Sequence, residues 1–329
     1  MRALVTGGAG FIGSHLAHRL VSDGHAVTVF DNESTGRPGN VPPAARYLRG
    51  DAACLEDLEP AFADGLDVVL HAVGQVSLAR SYADPSLDLR TNVGGTINVL
   101  RLCLKHRVPR LLYASSMTVY GHTAALPISE DSPCCPVSYY GIGKYAAERY
   151  VHTTAERVDL DFDLRVTSFR MFNVYGPRQA LDNPYQGVLG IFLGNLLREE
   201  PLVIFGDGDQ SRDFVYIDDV VDAWVAAIDR PAAYGQVFNL GSGQRMSINS
   251  LADHALAVFG RGRATYPLSY RPGRSGEQRH VEADIARVRS ALRWDPRTPF
   301  AAGLVQTANW ARAAAGPQPA VAAALRSGR

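Results

Sequence analysis

Lysine is almost missing from this chain: of its 33 Lys+Arg residues only Lys105 and Lys144 are lysines. The 33 Asp+Glu residues balance the cations to a formal net charge of zero. With no basic run either, a nucleic-acid partner is not expected. Long apolar runs are missing too, and none approaches the roughly 20 residues that a membrane span needs. Cysteine is sparse. Cys54, Cys103, Cys134 and Cys135 form no Cys-x-x-Cys pair, and adjacent Cys134 and Cys135 are poorly placed to bridge each other. The expectation is four reduced thiols in a cytoplasmic protein. His15 and His18 lie three apart on a helical stretch without a third ligand nearby, so they read as surface residues and no metal site is expected. Met1–Gly7 reads straight into a strand, with no sign of a secretory leader.

What is present is a globular composition over 329 residues, 46% hydrophobic and 20% charged, enough for one large domain or two ordinary ones. Short buried strands are expected at Ala3–Val5, Ala26–Phe30, Tyr47–Leu48, Val68–Leu70, Leu111–Ala114 and Leu164–Phe169. Helical patterns separate them, at Ile12–Ser22, Leu55–Phe62, Pro85–His106 and Tyr139–Ala155. This βαβ rhythm predicts an α/β fold with a doubly wound parallel sheet. After Asn173 the rhythm changes: helices at Val188–Arg198, Ile217–Ile228, Ile248–Phe259 and Ala283–Leu292, with short strands at Leu202–Phe205 and Val237–Leu240. The pattern predicts a dinucleotide-binding domain over 1–173 with a later contribution near 214–240. A smaller α/β substrate domain is expected over 174–213 and 241–312, and a frayed tail over 313–329.

Tyr140 and Lys144 sit four apart, one above the other on a helix. With 14 tyrosines and two lysines, a chance Tyr-x-x-x-Lys is expected only about 0.1 times. An ammonium beside a phenol favours the phenolate, a candidate base for an alcohol proton. Gly7, Gly10 and Gly13 follow the first strand as Gly-x-x-Gly-x-x-Gly, a turn that lets a pyrophosphate approach a helix N-terminus. Asp31 ends the second strand, where a carboxylate bonds an adenosine ribose and repels a 2′-phosphate, so NAD is expected over NADP. Asp51, after the third strand, suits the adenine amino group.

The glycine turn, the Tyr140/Lys144 pair and Ser115-Ser116-Met117-Thr118-Val119-Tyr120-Gly121 together resemble the extended short-chain dehydrogenase/reductase family, closest to its UDP-sugar 4-epimerases. The resemblance covers about residues 1–312 and implies a Rossmann-type domain, NAD as cofactor, a UDP-sugar substrate and a homodimer. It implies that Ser116, Tyr140 and Lys144 are catalytic. Around NAD it places Phe11, Ile12, Asn32, Ser34, Thr35, Gly36, Ala52, Ala72, Val73, Gly74, Asn92, Ala114, Phe172 and Val174 beside the glycines, Asp31 and Asp51. Around the sugar nucleotide it places Thr118, Asn173, Val188, Val203 and Phe205. Arg212 and Arg274 would grip the two phosphates, an arginine fork suiting that task. Glu277 would meet the uridine ribose, and Val281 would stand as a size gate beside the hexose C2 group.

The departures matter as much. Dehydratases of the family carry an acid two places after the catalytic Ser/Thr, where this chain has Met117 and Thr118. Val76 replaces a basic or small polar residue seen in some relatives. The expected reaction is NAD-dependent inversion of a UDP-hexose at C4. A dehydratase or decarboxylase on the same scaffold is the second reading, and a non-catalytic NAD sensor the third.

Overall fold

In the computed structural model the described residues are 1–123, 125–181, 187–273 and 278–315. Twelve strands are present among them: β1 Arg2–Thr6, β2 Ala26–Asp31, β3 Arg46–Arg49, β4 Val68–His71, β5 Arg110–Ser116, β6 Arg165–Met171, β7 Asn173–Tyr175, β8 Leu202–Phe205, β9 Ser211–Tyr216, β10 Gln236–Leu240, β11 Arg245–Ser247 and β12 Leu268–Arg271. Seven of them form one parallel sheet in the order β10-β6-β5-β4-β1-β2-β3. The apolar residues of its strands alternate between two cores, as the period of two demands. Leu4, Val69 and Leu111 face Val99, Ala147 and Val151 on the helices Gly95–Lys105 and Tyr139–Ala155. Ala3, Val5, Leu70 and Leu112 face the opposite side, with Leu16, Leu20, Val220 and Trp224 of the helices Phe11–Ser22 and Ile217–Ile228.

The strand order reverses between β1 and β4, and a crevice opens there beyond the carboxyl ends of the strands. Past β6 the chain crosses at Phe172 into a three-stranded sheet, β11-β9-β7, and further on into the parallel pair β12-β8. The helices Val188–Leu197, Ile248–Val258 and Phe300–Ala315 pack around these strands, and one apolar core runs on from the large sheet beneath them.

Several elements differ from the expectation. The stretch Pro85–His106 is not one helix but Pro85–Leu89, a wide π turn at Arg90–Gly94, and Gly95–Lys105. Leu55–Phe62 tightens into a 3₁₀ turn after Leu58. A helix at Phe300–Ala315 absorbs the first three residues of the expected tail, and 316–329 lie outside the described residues. All four cysteines are free thiols. His15 and His18 each bond a backbone carbonyl, of Pro177 and Asn40. Among the described residues no group of three or more His, Cys, Asp or Glu side chains could hold a metal ion, and no helix is long and apolar enough to cross a membrane.

Candidate active site

The turn after β1 shows why glycine is needed there. Gly7 adopts φ +70°, and a β-carbon on it would come within 2.9 Å of the Ala72 carbonyl group. A β-carbon on Gly13 would come within 2.2 Å of the Gly7 carbonyl oxygen. Gly10 caps the helix Phe11–Ser22 without a side-chain acceptor. The first turn of that helix therefore offers its N–H groups to the crevice, which Phe11, Ile12 and Gly13 line.

The cleft has a volume of about 300 Å³. Of the expected cofactor residues, Gly7, Gly10, Phe11, Ile12, Gly13, Asp31, Asn32, Ser34, Thr35, Asp51, Ala52, Ala72, Val73, Gly74, Tyr140, Phe172 and Val174 line it. Asp31 is buried at the end of β2, and its carboxylate accepts from the N–H groups of Ala9 at 3.0 Å and Glu33 at 2.8 Å. Burial pushes its pKa up and these bonds pull it back. A β-carbon on Gly36 would lie 2.7 Å from Asp31 Oδ1, so the loop closes directly over the carboxylate. The glycine turn at a helix N-terminus and the buried carboxylate at the end of β2 fit a dinucleotide.

Tyr140 and Lys144 enter from the helix Tyr139–Ala155. Ser138 caps it, its hydroxyl accepting from the Gly141 N–H at 3.1 Å. Ser116, at the end of β5, and Tyr140 both line the cleft. The Thr118 hydroxyl donates to Ser116 Oγ at 3.0 Å. Lys144 is 3% exposed, with Nζ 4.6 Å above the Tyr113 ring. The Tyr/Lys spacing favours a lowered phenol, and burial opposes it. Burial pushes Tyr140 up to about 12, with the Ser116 hydroxyl bonded to it pulling the other way and Asp88 adding to the rise. Burial also pushes Lys144 down to about 7, against Asp88 and Glu148. Desolvation outweighs the neighbouring charges at both groups.

Other expected residues fall outside the lining. Asn92 is buried beneath it, its carboxamide bridging Gln75 and Asp88. Ala114 is core within β5. Val188 begins the helix Val188–Leu197, while Val203 and Phe205 sit half-buried on β8. Asn173 does line the cleft, its side chain donating to the Asp213 carbonyl at 3.3 Å. Arg212 Nη1 donates to the backbone oxygens of Ser211 at 2.8 Å and Arg279 at 3.3 Å. Val281 is fully buried, bonded through its N–H to Ser211 on the edge of β9, so it presents no surface to the cleft and the expected gate is part of the core. Arg274 and Glu277 lie outside the described residues.

The structure adds groups that motif reading passed over. Gln179, Leu189 and Phe214 line the cleft, beside Val76, the departure noted in the sequence, which is 47% exposed. Glu148 lies one turn beyond Lys144 on the same buried face and pairs with Arg170 of β6 at 2.6 and 3.1 Å. The signal was available: a glutamate four residues after Lys144 continues the stripe that holds Tyr140.

The NAD dependent epimerase/dehydratase family model matches residues 3–241. A UDP-glucose 4-epimerase of Mycolicibacterium smegmatis is 38% identical over 326 residues, covering 95% of this chain and 99% of the relative. UDP-glucuronic acid decarboxylase 1 of Xenopus tropicalis is 33% identical over 94% of this chain and 72% of its own length. Among solved structures, a UDP-glucose 4-epimerase of Thermotoga maritima with UDP-glucose superposes with a TM-score of 0.89 at 34% identity, covering 96% of this chain and 100% of that one. On the matching sheet, glycine turn and Tyr/Lys helix, the chain belongs to the NAD-dependent epimerase/dehydratase family, nucleotide-sugar enzymes of the extended short-chain dehydrogenase/reductase type whose cofactor is NAD.

Proposed function

We propose that the protein is a UDP-sugar 4-epimerase that inverts C4 of a UDP-hexose through a 4-keto sugar. One observation carries the choice among the family's reactions. At the Ser116/Tyr140 end of the cleft the described lining residues include no carboxyl group and no arginine. Its carboxylates, Asp31 and Asp51, belong to the end of β2 and the loop after β3. Elimination of water calls for an acid beside the sugar, and selection of a uronic acid calls for a cation there. Thr118, where dehydratases carry their acid, bonds Ser116 instead.

When bound, NAD would supply the reversible oxidation of the C4 alcohol. Tyr140 Oη, as the phenolate, takes the C4 hydroxyl proton and returns it to the oxygen of the keto sugar once that sugar has turned its other face. Ser116 Oγ orients that hydroxyl and relays its proton to the phenolate. Lys144 Nζ, held between the Gly74 loop and the Tyr113 ring, stabilises the phenolate and offers donors to the nicotinamide ribose. Phe172 and Val174 of the cleft lining would hold the cofactor, and Arg212 would hold the diphosphate while the keto sugar turns. Incubation with a nucleotide-sugar panel tests this reading: UDP-glucose and UDP-galactose should interconvert without release of water or carbon dioxide. A product that has lost either would replace it with the dehydratase or decarboxylase reading.

The same reading extends to assembly as a homodimer. Leu89, Tyr139, Ile142 and Tyr150 are about half exposed or more, and they lie within Pro85–His106 and Tyr139–Ala155, the two stretches whose helices would pair with their copies in a four-helix interface.

A further inference from the structure

Asp88, on the short helix Pro85–Leu89, is 2% exposed and has no place in the reaction scheme. Its Oδ1 accepts from Gln75 Nε2 at 2.8 Å and Asn92 Nδ2 at 3.1 Å. Its Oδ2 faces the helix of Tyr140, where a β-carbon on Gly143 would come within 3.0 Å of it. Gly143 directly precedes Lys144. Asn92 ties the two regions together: its Oδ1 also accepts from the Gln75 N–H at 3.1 Å, beside the Gly74 backbone that Lys144 Nζ approaches. Among the described residues no ion pair within 4 Å joins Asp88 to Lys144, so the carboxylate acts through space in a poorly screened interior.

The charges facing Lys144 come from several elements. Tyr140 and Glu148 share its helix, Tyr113 lies on β5, and His71 ends β4. His71 is held neutral by burial, between the hydroxyls of Thr6 and Thr96. Glu148 is matched by Arg170 and takes a further bond from Ser115 at 2.6 Å. Burial raises the pKa of Asp88, and the two neutral amides that hold it favour its ionised form without cancelling its field.

We propose that Asp88 is a positioning residue for the Tyr140–Lys144 pair, a buried carboxylate that opposes the loss of charge which burial imposes on Lys144. Burial lowers Lys144, and Asp88 heads the groups that oppose it. The catalytic consequence rests on the proposed reaction, whereas the charge coupling stands without it.

With two lysines in the chain, ¹³Cε-lysine labelling of the ligand-free protein gives two NMR signals, and Lys105, 60% exposed, is the internal reference. In Asp88→Asn the Lys144 titration midpoint should fall by about one pH unit or more, with Lys105 unmoved. The alkaline limb of the kcat profile should fall with it. An unmoved Lys144 midpoint in the folded variant overturns the proposal. Should that variant fail to fold, Lys144→Met gives the reciprocal reading: one buried aspartate midpoint rises in a ¹³C-aspartate titration, and an unchanged set overturns the proposal. If Lys144 moves as stated while UDP-hexoses are not epimerised, only the proposed reaction fails.

Discussion

At the residue scale, burial sets the charge of the reacting groups. Tyr140 and Lys144 were legible in sequence because their spacing forces them onto one helix face. Their ligand-free proton affinities were not, since spacing reports adjacency and not desolvation. Tyr140→Phe should lower kcat by about 10³-fold or more while leaving NAD binding within a few-fold of native, because the phenol oxygen is lost and the ring is kept. Equilibrium dialysis with NAD beside steady-state assays checks both halves, and near-native turnover would remove Tyr140 from its role. Lys144 also predicts a pH dependence of stability. Its folded pKa of about 7 lies below the ordinary lysine value of 10.5 that an unfolded chain would show. Between these values the unfolded chain holds a proton that the folded protein has released, so stability rises with pH across that window. Below about 7 both states are protonated and the cost of burying the ammonium is present in full. Urea midpoints of the ligand-free protein at pH 7 and pH 9 should therefore rise relative to those of Lys144→Met, and parallel slopes would contradict the burial argument.

At the element scale, the sequence spoke clearly wherever one local rule dominates. The glycine turn is such a case. Gly13→Ala would place a β-carbon 2.2 Å from the Gly7 carbonyl oxygen, so the turn must open. The variant should lose most bound NAD and show a lower Tm, both measurable on freshly purified protein, and native cofactor content would contradict the close-packing account. The helix expected across Pro85–His106 breaks at Arg90–Gly94 for a reason that no propensity carries. The wide turn brings Asn92 onto Gln75 and Asp88, and Thr96 onto His71 at 3.0 Å. The helix Phe300–Ala315 had a readable stripe, Leu304, Thr307, Ala308 and Ala311, all buried. Gly303 weakened that pattern, and it is glycine because the Tyr175 hydroxyl would lie 2.5 Å from its β-carbon.

At the scale of the whole molecule, the large sheet was readable from alternation, while β7, β9, β11 and β12 were not. These strands are three to six residues long and are fixed by pairing with distant partners, as Arg245 of β11 is with Asp213 of β9. Val281 was misplaced for the same reason: it lies in the core, its N–H bonded to the carbonyl of Ser211 at the start of β9. The proposed dimer would brace the helix bearing Tyr140. Ile142→Glu, on its exposed face, should turn a dimer mass into a monomer mass by light scattering, and a monomeric native protein would refute the assembly. The central claim, inversion at C4 through a keto sugar, is tested most directly with UDP-galactose deuterated at C4. The account predicts UDP-glucose with the label retained at C4 and no exchange with solvent. Label found at C6, label lost to water, or no conversion at all would contradict it.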